Sequence, residues 1–152
     1  MINSIEDVKK FIKDTSFKKI FVLCGKKSFA TSGAEIFFKE LLNNKETRLF
    51  YKNSELPVLE ELIKIIVDIK NFKPDLILAV GGGAVIDYAK IANLVDVRDD
   101  LADLIVNYSY PFKKKYTKLA VIPTTAGSGA EVTSNAVIYV DGIKHSFESE
   151  LL

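Results

Sequence analysis

The sequence predicts an α/β domain built on an open, mostly parallel β-sheet flanked by helices. Two observations carry that reading. Apolar strand-like runs at 19–24, 75–80 and 118–123 alternate with segments of helical periodicity. The first of these runs, Lys19–Cys24, is nearly continuous, the mark of a strand buried on both faces.

Taken in order, Ser4 to Lys13 reads as a short helix, with Ser4 as N-cap and Val8, Phe11 and Ile12 at helical spacing. Lys19–Cys24 is the first strand, and residues 25–28 read as a turn. A helix is expected from about Ser32 to Asn43, and Thr47–Tyr51 alternates as a second strand. Pro57 is expected to open the next helix in its first turn, where its missing N–H does no harm. Leu59, Leu62, Ile63, Ile66 and Ile69 carry that helix to about Asn71, and Pro74 stops it. Asp75–Val80 is the third strand and Ala84–Leu94 the helix after it. Residues 97–117 show the least regular pattern, and Tyr108, Tyr110, Pro111, Phe112 and Lys113–Lys115 suggest an exposed loop. Lys118–Pro123 and Asn135–Val140 are further strands. Asp141-Gly142 is a two-residue hairpin turn leading to an antiparallel strand over 143–147, expected at one edge of the sheet.

Composition narrows the class. The chain has 152 residues, 48% hydrophobic and 27% charged, as expected of one globular domain. Its 21 basic and 20 acidic residues leave a net charge of +1, which offers no strong attraction to nucleic acid or an anionic membrane. The single cysteine, Cys24, allows no internal disulfide and no cysteine-rich metal site. The start of the chain lacks the pattern of a secretory signal, and no apolar run approaches the ~20 residues of a membrane helix. The expected location is the cytoplasm.

Two segments carry chemistry. Gly81-Gly82-Gly83-Ala84 follows an apolar strand and precedes a helix. Such a turn leaves backbone N–H groups pointing outward at the positive end of a helix, and without Cβ atoms a phosphate can approach closely. It is neither G-x-G-x-x-G nor a Walker A loop, and tight steric packing would also call for glycine there. The second segment, Pro123–Ser134, is rich in small residues and hydroxyls and follows the fourth strand. Both would lie at the carboxyl edge of the sheet, where open α/β sheets bind ligands. There the hydroxyls of Thr124 and Thr125 would meet phosphate, ribose or an amide; alternatively they cap the backbone of a polar loop.

Gly81-Gly-Gly-Ala-Val-Ile-Asp87-Tyr-Ala-Lys90 resembles the G-G-G-S-x-x-D-x-A-K segment of the iron-containing alcohol dehydrogenases. Pro123-Thr-Thr-Ala-Gly-Ser-Gly-Ala-Glu-Val-Thr133 is similar to that family's P-T-T-x-G-T-G-S-E-V-T. The related dehydroquinate synthases share the glycine turn but differ in the second motif. The resemblance implies a Rossmann-like dinucleotide-binding domain over residues 1–152, serving hydride transfer between NAD(P) and a small alcohol or aldehyde. By position, Gly81, Gly82, Gly83 and Ala84 would hold the pyrophosphate, and Asp87 would lie near the nicotinamide or its ribose. Thr124, Thr125 and Ser128 would line the adenosine side, and Ser134 and Lys144 match cofactor-contacting positions. Lys144 reads equally as an exposed hairpin lysine.

Two departures matter. Ala84 replaces the family serine, losing a hydroxyl but keeping the N–H. Gly25 stands where NAD-preferring members often carry an aspartate; with Lys26 and Lys27 beside it, a 2′-phosphate is tolerated, so NADP(H) is expected to bind at least as well as NAD(H). In the family, a second, all-helical domain supplies one aspartate and three histidines to Fe²⁺ or Zn²⁺. This chain has one histidine, His145, which matches none of those positions. The expectation is therefore a cofactor domain inactive by itself and self-associating through the face the second domain would cover. A stand-alone nucleotide-binding or regulatory module, and a glycerol-1-phosphate or dehydroquinate-type relative, are the competing readings.

Overall fold

The computed structural model describes residues 4–13, 16–125 and 129–152. The order of elements is α1 (Ile5–Lys13), β1 (Lys19–Gly25), α2 (Lys26–Thr31), α3 (Ala34–Leu41), β2 (Glu46–Lys52), α4 (Leu59–Phe72), β3 (Leu76–Gly81), α5 (Gly83–Ala92), α6 (Leu101–Val106), β4 (Lys118–Pro123), β5 (Asn135–Val140) and β6 (Ile143–Glu148). Four parallel strands form the main sheet in the order β2-β1-β3-β4. All four carboxyl ends therefore lie along one edge.

Alternation along the inner strands divides the core in two. Phe21 and Leu23 of β1, with Ile77 and Ala79 of β3, pack on one face with Leu62, Ile66 and Ile69 of α4 and Tyr88 and Ala89 of α5. Ile20, Val22 and Cys24, with Leu76, Leu78 and Val80, pack on the other against Ile12, Phe29 and Phe38. This double burial is why β1 and β3 read as unbroken apolar runs. Burial pushes the Cys24 thiol up to about 12, so it is an inert core group. Ser4 caps α1, its Oγ accepting the Asp7 N–H at 3.1 Å.

Four elements differ from the sequence reading. Residues 26–31 form a one-and-a-half-turn helix where a turn is expected; the Ser28 hydroxyl donates to Gly25 O and Phe29 is buried beneath it. Pro57 lies outside α4, because Val58 is extended, bridged to Tyr139, and its N–H donates to Tyr88 Oη at 2.7 Å. The irregular stretch contains α6, anchored by buried Leu101 and Ile105, and its aromatics fold back: Phe112 meets Phe147 edge-on at 5.5 Å. The β5–β6 hairpin is a separate two-stranded antiparallel sheet, not an edge of the main one. Its apolar residues Ala136, Ile138 and Phe147 pack into the α4–α5 core, which fixes it across α5 instead of alongside β4.

Candidate functional site

The last residues of β3 and β4 are paired, Gly81 with Pro123, and the Thr124 N–H donates to Gly81 O at 3.0 Å. The glycine turn and the hydroxyl loop are thus one continuous structure. Gly82 is extended and caps α5; its carbonyl accepts the N–H groups of Val85 and Ile86. The Gly83 and Ala84 N–H groups precede these and have no carbonyl within the helix to meet.

The glycine turn has little space for side chains, against its own helix at Gly81 and against the hydroxyl loop at Gly82. A Cβ on Gly81 would stand 2.6 Å from a Val85 methyl, and one on Gly82 3.0 Å from Thr125 Oγ1. Opposite the turn, Thr124 Oγ1 is buried without a hydrogen-bond partner among the described residues. An orphaned hydroxyl on the adjoining loop, together with helix N–H groups that have no intrahelical partner, supplies donors of the kind phosphate oxygens accept. Ser128 lies outside the described residues.

One turn into α5, Asp87 is mostly buried. Burial raises its carboxyl to about 6, against the opposing pull of Lys90, the Val137 N–H and Lys144. Lys144 is exposed on β6, yet close enough for its charge to act on Asp87. The structure thus brings Asp87 and Lys144 to one face of the hairpin, with Ser134 at its entry; Ser134 O accepts the Ser149 N–H at 3.0 Å. Gly25 ends β1 at the same edge, two strands away from Pro123.

Residues 2–152 match the family model described as iron-containing alcohol dehydrogenase. This chain belongs to that family. It is 37% identical over 135 residues to the 4-hydroxybutyrate dehydrogenase of Clostridium kluyveri, covering 86% of this chain and 35% of that protein. The NADH-dependent butanol dehydrogenase A of Thermotoga maritima shares the fold with a TM-score of 0.82 at 24% identity, over 95% of this chain and 37% of that one. The sulfoacetaldehyde reductase of Bifidobacterium kashiwanohense, solved in complex with NAD+, gives 0.81 at 23% identity, over 95% and 39%. The chain therefore spans little more than a third of the relatives it matches.

The family's iron does not fit the residues of this chain. The sequence holds one histidine, and no group of three or more His, Cys, Asp or Glu among the described residues is placed to hold a metal. His145 is buried against Tyr108, ring centroids 5.8 Å apart, with no hydrogen-bond partner for either nitrogen among the described residues.

Two groups at the site escape a sequence reading. Lys90 is buried, and its ammonium donates to Thr133 O at 2.6 Å and Asn135 O at 2.9 Å, the carbonyls on either side of Ser134. Burial lowers its pKa, while Asp87 and Glu131 oppose the shift. The available signal is its spacing: three residues after Asp87, it occupies the same helix face. The second is a buried cluster, in which the Glu61 carboxylate accepts the N–H groups of Asn53 and Ser54 at 2.6 and 3.1 Å and the Tyr88 hydroxyl at 3.0 Å. Burial would raise the Glu61 pKa, but these bonds outweigh it and hold it low. The cluster ties the loop after β2 to α5.

Proposed function

We propose that residues 1–152 form a dinucleotide-binding domain for NAD(P)-linked oxidoreduction of a small primary alcohol or aldehyde. The observation that carries this is the junction of the two loops: bare helix N–H groups at Gly83 and Ala84, a Gly81 with no space for a Cβ, a Gly82 packed close to Thr125, and the unpartnered Thr124 hydroxyl on the adjoining loop. Gly81–Ala84 would take the pyrophosphate, Thr124, Thr125 and Ser128 the adenosine side, and Asp87, Ser134 and Lys144 the nicotinamide end. The nicotinamide supplies hydride transfer when bound. What these residues contribute is binding and orientation. Asp87 places a carboxyl that exchanges its proton near pH 6 at the nicotinamide end.

Support for NAD comes from the NAD+ complex and the NADH-dependent relative that share the fold. NADP(H) is proposed to bind at least as well, because Gly25 removes the carboxylate that would repel a 2′-phosphate. With one histidine in the chain, the family's metal step needs residues this domain does not hold, so the domain alone is proposed to bind cofactor without turning over alcohol. Self-association in the cytoplasm is part of the reading, on the argument that a face built to pack on a further domain exposes apolar surface that favours association.

Titration of the purified chain with NADH and NADPH, followed by nucleotide fluorescence, tests this. Saturable binding that is lost in G82V supports the site. No binding of either nucleotide, or equal binding by G82V, would overturn it. Alcohol dehydrogenase turnover by the 152-residue chain would overturn the division of labour. A monodisperse monomer in light scattering at high concentration would remove the self-association.

A further inference from the structure

The β1–β2 register sets Lys52 directly opposite Gly25, at the last step of both strands. The pair occupies the same sheet edge as Gly81–Ala84. The Lys52 stem runs past Gly25; its Cε lies 3.9 Å from where a Gly25 Cβ would stand. The side chain is half-buried and fixed. Its Nζ donates to Ser54 O at 2.6 Å and, at 3.4 Å, to Glu55 O. An ammonium has three N–H donors, so one is unassigned among the described residues.

Among the described residues Lys52 takes part in no ion pair. The buried carboxylate nearest that loop in sequence, Glu61 of α4, accepts from Asn53, Ser54 and Tyr88 and forms no ion pair with Lys52. Lys26 and Lys27, by contrast, are exposed and screened by solvent. An oriented cation without an ion-pair partner among the described residues, next to a bare glycine, inverts the arrangement that selects a ribose 2′-hydroxyl, in which a carboxylate accepts from it.

We propose that Lys52 is the specificity-determining residue for a 2′-phosphorylated dinucleotide. Its ammonium pairs with the 2′-phosphate of NADP(H), and Gly25 provides the room. The assignment rests on the cofactor reading above, and its test separates the two. NADH and NADPH are titrated into the full chain and into K52M, K52R and the double variant K26M/K27M, with adenosine 2′,5′-bisphosphate and adenosine 5′-diphosphate as half-cofactor probes.

K52M is expected to raise the Kd for NADPH and the bisphosphate about tenfold, the size of a lost charge-assisted hydrogen bond, while NADH and the diphosphate stay within about twofold. K52R should retain most of the preference, and K26M/K27M should change it by less than about threefold. Equal losses for all four probes in K52M would make Lys52 a structural clamp on the 53–56 loop and overturn the proposal. So would unchanged NADPH binding. If the unaltered chain binds NADH but K52M leaves NADPH untouched, only the Lys52 assignment falls. If it binds no nucleotide, both readings fall.

Discussion

Two strand–glycine–helix turns sit on the same edge of this sheet and obey different constraints. At the β3–α5 turn, a Cβ on Gly81 would strike Val85, a β-branched residue locked in the core of α5. At the β1–α2 turn, a Cβ on Gly25 would crowd the Ser28 hydroxyl at 2.9 Å, the end of a small side chain that can turn aside at the cost of its hydrogen bond to Gly25 O, and would touch Lys52 Cε at an ordinary 3.9 Å. Neither glycine has a positive φ, so backbone freedom explains neither. The first glycine is demanded by packing. The second is dispensable to the fold, which points to its chemistry: it leaves a surface without a side chain beside Lys52.

The comparison can be broken in order of expected effect. G81A should destabilise the chain by about 1–3 kcal/mol through overpacking, and V85A should restore part of it in the double variant. Denaturant unfolding of the four proteins measures this; purely additive losses would remove the steric account. Y88F strips Val58 N–H and Glu61 of a shared hydroxyl and should cost about 1–3 kcal/mol, read by the same method. K90M leaves the Thr133 and Asn135 carbonyls without their donor. Its loss should be nearer 1 kcal/mol, concentrated as amide chemical-shift changes at 133–135.

Asp87 makes a pH-dependent contribution. Its carboxyl is raised from 3.8 to about 6 in the folded chain, so the folded state holds the proton more tightly. Stability should be highest below the unfolded value and decline as pH rises from about 4 to about 6, then level off. D87N should abolish that slope in thermal scans at stepped pH. The smallest effect belongs to the other turn: G25A should lie within about 0.5 kcal/mol of the unaltered chain. A loss as large as that of G81A would show the two turns to be alike.

How much of this was legible follows from the range of the interactions. The inner strands β1 and β3 and the helices α4 and α5 announce themselves, because continuous burial and helical periodicity are written locally in residues such as Leu76–Val80 and Leu62–Ile69, while the less buried β2 is read from its alternation and β4 from its apolar run. The two short helices do not. α2 rests on one buried side chain, Phe29, and α6 on Leu101 and Ile105, too few points to define a period. The glycine turn and the hydroxyl loop were readable as motifs, but their physical junction, Thr124 N–H to Gly81 O, depends on β3–β4 register. Lys52 was illegible for the same reason, and Lys90, although part of the quoted motif, showed nothing of its partners Thr133 and Asn135. A lysine becomes a reader or a staple only through the strand or loop that register brings opposite it.

The Val58–Tyr139 bridge carries one more consequence, in the order of assembly. Pro57 O accepts the Tyr139 N–H at 2.7 Å, so the entrance to α4 is closed by a residue from the last hairpin. Contacts so distant along the chain form late, since their loop entropy must be overcome first. During synthesis the parallel sheet can assemble while that entrance, and the Asp87 face that the hairpin covers, still lie open. The Asp87 face, the proposed nicotinamide end, is then the last part to be sealed.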